Sequence, residues 1–147
     1  MTRRFSLVST LLALGGLFIF TIGFAQAGGP SHLSGSYKVV HKTDVGLQTR
    51  VRLQLQLANS GQHDLLVQRL TLVRSLHPDK VAHQTCSLTV HPGSSLSTTQ
   101  EFTMLRSEYS QWSREKRITV LAAVEGPGGH RAVEVMRLDQ ISGGKAD

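Results

Sequence analysis

The clearest regularity in the chain is an alternation of apolar and polar positions from Leu47 to Leu57. There Val51, Leu53, Leu55 and Leu57 fall between Arg50, Arg52, Gln54 and Gln56. Successive side chains of a strand point to opposite faces, so this pattern predicts a strand with one buried and one wet face. Asn59 to Asp64 reads as a turn, because Asn, Gly and Asp tolerate the backbone angles a reversal needs. A strand resumes over Leu66 to Val73, with Leu66, Leu70 and Leu72 expected on one face, and Leu76 to Lys80 breaks it. Cys86, Leu88 and Val90 alternate up to a turn at His91 to Ser94, and Leu96 to Met104 continues as a more polar strand. Ile118, Val120 and Ala122 form another, closed by Gly126-Pro127-Gly128-Gly129. Val133 to Leu138 gives a last strand and Ser36 to Lys42 a first.

One segment departs from this grammar. Ser107 to Lys116 predicts a short helix, with Ser107 as its N-cap, Glu108 in its first turn, and Arg114 and Lys116 in its last. Tyr109 and Trp112, three apart, fall on one side of it. About seven short strands separated by turn signals predict an all-β fold, an antiparallel sandwich with this helix crossing between its sheets.

The first 27 residues follow another pattern. Arg3 and Arg4 precede an uncharged run dominated from Leu11 to Phe24 by Leu, Phe, Ile and Gly, and Ala25-Gln26-Ala27 supplies small residues where signal peptidase requires them. This predicts a signal helix and export to the periplasm or beyond. The alternative is an uncleaved anchor, the one route by which the chain would touch a membrane. The expected layout is a signal over 1–27, a linker over 28–35, the sandwich over 36–141 and a polar tail over 142–147.

Composition then narrows the chemistry. The 147 residues carry sixteen Lys and Arg against ten Asp and Glu, a formal charge of +6. Cleavage removes Arg3 and Arg4 and leaves about +4, dispersed except for Arg50 and Arg52 on the wet strand face. Export and the lack of a concentrated basic stripe with stacking aromatics argue against nucleic acid as partner. The single Cys86 excludes an intramolecular disulfide and any four-thiolate metal site.

The middle of the chain resembles the immunoglobulin-like sandwiches of exported bacterial proteins. The residues that carry the likeness are Val51 to Leu57 followed by Asn59-Ser60-Gly61, then Asp64 to Val67 and Leu70 to Leu72. The paired Cys and buried strand Trp of antibody-type domains are missing. The resemblance implies a binding or scaffolding module and leaves its partner open.

Three functions remain in view. The first is a non-catalytic interaction or accessory module of the cell envelope, without cofactor, whose partner is another envelope or exported protein. No Gly-x-Ser-x-Gly elbow, His-Glu-x-x-His helix or phosphate-binding loop points to an enzyme. The second is a copper- or zinc-handling protein built on His77, His83, Cys86 and His91, if loops bring them together. The third is a carbohydrate or anionic-polymer binder, stacking a ligand on Tyr109 and Trp112 beside Arg50 and Arg52.

Overall fold

The computed structural model describes residues 32–74 and 80–142. The expected signal, most of the linker, the break around His77 and most of the tail lie outside these. Seven strands form in order: β1 (Leu33–Val45), β2 (Gln48–Asn59), β3 (Leu65–Val73), β4 (Lys80–Val90), β5 (Ser95–Leu105), β6 (Arg117–Glu125) and β7 (Arg131–Gln140). A helix, α1 (Arg106–Trp112), joins β5 to β6. It is too short to span a membrane, and no other helix among the described residues is long and apolar enough to do so.

All seven strands belong to one sheet of order β4-β3-β6-β7-β1-β2-β5. Five neighbouring pairs are antiparallel, but β1 and β7 run parallel through Ser36–Asp139 and Tyr37–Gln140. The expected purely antiparallel arrangement is therefore corrected to a mixed sheet. The first and last strands lie side by side and point the same way, and their backbone pairing joins the sheet. The edge strands β4 and β5 are linked by the short turn at His91–Ser94, so the sheet curls round into a nearly closed barrel.

The alternation in β2 is realised fully: Val51, Leu53, Leu55 and Leu57 are buried, and the residues from Arg50 to Gln56 between them are exposed. In β3 the expected face is only partly right. Val67, Leu70 and Leu72 point inward, while Leu66 is half-exposed. The ladders to β4 and β6 slip between Val67 and Arg69, and one extra residue in a strand reverses the facing of everything before it.

The helix is shorter than the sequence predicts. Leu105, not Ser107, precedes its first turn, and the Glu108 carboxylate accepts the Leu105 N–H at 3.3 Å. Arg114 and Lys116 lie beyond its end. Tyr109 and Trp112 share one side of it, and that side faces the core: Trp112 is 1% exposed, with Tyr37 and Tyr109 at ring-centroid distances of 5.9 and 6.0 Å. This aromatic group closes the core beside α1.

Candidate functional site

Because the strands alternate in direction, the connections after β2, β4 and β6 emerge at the same end. Asn59, 2% exposed, ties the first two together. Its side-chain amide donates to the carbonyls of Val90 at 2.9 Å and His63 at 2.8 Å, and its Oδ1 accepts the Gly61 N–H at 2.8 Å. Its backbone N–H donates to Ser94 at 3.1 Å and its carbonyl accepts from Gly93 at 2.8 Å. The β2–β3 and β4–β5 loops are thus held by one buried side chain. His32 joins the same end, its carbonyl accepting from the Ser60 N–H at 2.9 Å.

Between the β2–β3 and β6–β7 loops lies a shallow cleft of about 470 Å³, lined by His63, Asp64, Leu66, Thr89, Glu125, Gly126 and Pro127. Leu66, turned outward by the β3 slip, is level with Thr89 and Glu125 on the neighbouring strands. His91 Nδ1 is 2.8 Å from Asp64 Oδ1. Glu125 accepts from Gln68 Nε2 at 2.9 Å and lies 3.6 Å from Arg131 Nε. The cleft offers hydrogen-bonding and ionic partners round a small apolar floor, a composition suited to binding.

Charge is divided along the molecule. Among the described residues the loop end carries Asp64, Glu125 and Glu134 against Arg131, with His32, His63, His91 and His130 around them. The opposite end carries Lys42, Arg50, Arg74, Lys80, Arg106, Arg114, Lys116, Arg117 and Arg137 against Asp44, Glu108, Glu115 and Asp139. The excess of positive charge expected to be dispersed is gathered away from the loops.

The residues singled out from sequence do not form one site. Arg50 and Arg52 lie on the outer face of β2, and both reach Glu101 of β5, at 3.3 and 3.4 Å. Trp112 is inside the core, and Tyr109 is half-buried against it with Lys42 Nζ 5.0 Å from its ring centre. His77 lies outside the described residues. His83 is exposed on β4, whereas His91 sits in the loop beside Asp64. Cys86 is half-buried, its thiol pointing to the Val67 carbonyl at 3.5 Å, and burial pushes its pKa up. Among the described residues no three His, Cys, Asp or Glu side chains converge as metal ligands. The loop-end residues that sequence reading passed over, Asn59, His63 and Glu125, share one signal: each stands in or beside a connection that follows an even-numbered strand.

No protein-family model matches this chain, and no curated protein sequence does. Solved structures give distant likenesses. A protein from Archaeoglobus fulgidus is 18% identical, with a TM-score of 0.46 over 69% of this chain and 90% of that one. A beta-glucuronidase from glycoside hydrolase family 2 is 12% identical, with a TM-score of 0.42 over 74% of this chain but 12% of its own. A beta-galactosidase-like protein from Bacteroides fragilis is 14% identical, with a TM-score of 0.38 over 70% of this chain and 17% of its own. Each of these last two likenesses covers only a small part of the other protein.

Proposed function

We propose that the protein is an exported, non-catalytic interaction module of the bacterial cell envelope, and that it engages a partner protein through its loop end. The observation that carries this reading is the single buried Asn59, which fixes two connections beside a cleft on a rigid strand framework. Scaffolds of this kind hold binding loops in place without ordering them anew at each encounter. The strand order also supports an immunoglobulin-like sandwich. Strands β4-β3-β6-β7 and β1-β2-β5 would be its two sheets, joined by the short parallel contact of β7 with β1. Arg3, Arg4, the apolar run and Ala25-Gln26-Ala27 support export.

The carbohydrate reading has less support, since Trp112 is packed inward and Arg50 and Arg52 share Glu101. The metal reading depends on His77 and on a convergence that His83 and His91 do not make.

A photo-crosslinking amino acid at His63 or Pro127, compared with one at Thr99 on the outer face of β5, tests the proposal in intact cells. Discrete adducts to an envelope protein are expected from the loop positions alone. Adducts from Thr99 alone, or from none of the three, would overturn it. The exported protein is expected to begin at Gly28.

A further inference from the structure

The β1–β2 hairpin runs on well past the pairing of β1 with β7, with β5 alongside it to the end. β1 pairs with β7 only at Ser36 and Tyr37, whereas its ladder with β2 continues to Val45 and Gln48. At the tip Gly46 takes φ 58°, and Leu47 beside it is 84% exposed. Val45 and Leu105, 55% and 48% exposed, flank the next residue, Gln48, on its two sides, because both pair with it. The Arg106 N–H donates to the Leu47 carbonyl at 2.9 Å, and the Arg106 guanidinium donates to the Gly46 carbonyl at 2.8 Å, which holds a cation against the turn. Lys42 and Arg50 flank the same tip, but the charges there are paired: Asp44 lies 3.2 Å from Lys42 and 4.0 Å from Arg106, and Glu101 lies 3.3 Å from Arg50.

Three aliphatic side chains at a convex tip have no groove to fill. A folded partner would need a pocket of matching depth, whereas the interface of a bilayer deforms around an inserted side chain. The tip also belongs to the basic end of the molecule, and basic residues beside an apolar point complement anionic headgroups. We propose that this hairpin tip docks the protein on an anionic membrane surface. Leu47, Val45 and Leu105 enter the interface, and the positive excess of this end, Arg106 included, draws it to the headgroup phosphates. The acidic loop end then points away from the lipid. This contact does not depend on what the loops bind.

Co-sedimentation of the exported protein with vesicles tests the docking. Vesicles of equimolar phosphatidylglycerol and phosphatidylcholine are expected to bind it, pure phosphatidylcholine to bind it far less, and molar salt to release most of it. Leu47→Asp is expected to weaken binding by roughly tenfold or more, the loss of one buried aliphatic side chain. Arg106→Ala narrows the preference for anionic vesicles, and Pro127→Asp at the loop end leaves binding unchanged. Emission of the buried Trp112 verifies that each variant is folded. Equal binding to both vesicles, undiminished binding of folded Leu47→Asp, or no binding at low salt would overturn the proposal.

Discussion

The Asn59 side chain donates a hydrogen bond to the Val90 carbonyl, 31 residues further along the chain and 2.9 Å away. That bond, with those to His63 and Gly61, puts a fully engaged carboxamide under the loop end. Asn59→Ala leaves buried carbonyls without donors and is expected to cost about 2–3 kcal/mol. Asn59→Asp keeps the shape but turns an acceptor toward those carbonyls, and is expected to be no milder. Urea unfolding of the two variants measures this; a loss below about 0.5 kcal/mol in both would contradict the role of Asn59 as a tie.

Trp112 makes a different bargain with its surroundings. Its ring is buried between Tyr37 and Tyr109, yet its Nε1 has no hydrogen-bond acceptor among the described residues. Packing therefore carries its contribution, and the polar atom subtracts from it. Trp112→Phe keeps most of the apolar area, removes the unmet donor, and is expected to change stability by no more than about 1.5 kcal/mol. Trp112→Ala empties the site and is expected to cost about 3–5 kcal/mol. Thermal unfolding that ranks the two variants together would show that the donor has a partner after all.

These two residues mark how far sequence reading reaches. For Trp112 only the local half was legible: spacing puts it on one side of a helical turn with Tyr109, but that this side faces the core and not a ligand depends on Tyr37 of a distant strand. Strands with strict alternation, such as β2, were legible for the same local reason. Asn59 read correctly as the start of a turn, but its role depends on Val90 lying opposite, and pairing between distant strands is not written in either segment. The slip between Val67 and Arg69 is of the same kind, since a bulge is a relation between a strand and its neighbours. So is the parallel meeting of β1 with β7, and so is the gathering of His63, Asp64 and Glu125 round one cleft.

Gly35 illustrates a constraint of close approach. A Cβ built there would overlap the Gln56 carbonyl of β2, against which β1 is paired. Gly35→Ala must push the two strands apart and is expected to cost about 1–3 kcal/mol, as overpacking does elsewhere. An open site gives the control: among the described residues nothing beyond its chain neighbours lies within 4 Å of a Cβ at Gly93 in the β4–β5 turn. Its φ of 68° still favours glycine, so Gly93→Ala is expected to lose about 1 kcal/mol through backbone strain alone. Crowding at the first site and strain at the second separate in amide exchange, which should rise along the β1–β2 ladder only in Gly35→Ala.

Glu101 lies between two guanidinium groups, 3.3 Å from Arg50 and 3.4 Å from Arg52. All three side chains are partly exposed, so each pair contributes less than about 1 kcal/mol, and Glu101→Gln is expected to leave the melting temperature nearly unchanged. Its effect is on the surface field. With the carboxylate gone, β2 presents two unmasked cations, and the variant should elute from a cation exchanger at higher salt than the parent. Arg52→Gln in the same background should reverse most of that delay. If Glu101→Gln elutes with the parent, the pairing in the structure does not mask the arginines.

Tyr37 predicts the alkaline limit of the fold. Burial, then the nearby Glu115 and Tyr109, pushes its hydroxyl from 10.0 up to about 12, while the hydroxyl donates to the Glu115 carbonyl at 3.4 Å. The folded state therefore keeps the Tyr37 proton over a range where the unfolded chain gives it up. A raised folded pKa means the stabilisation is complete below pH 10 and is lost as pH climbs from there to about 12. Tyr37→Phe cannot ionise, so its stability should decline less over that window than the parent's, although it lacks the hydrogen bond and starts lower at neutral pH. Urea midpoints across the alkaline range, read by Trp112 emission, give both curves. Parallel curves would mean that the Tyr37 hydroxyl ionises as freely in the folded protein as in the unfolded chain.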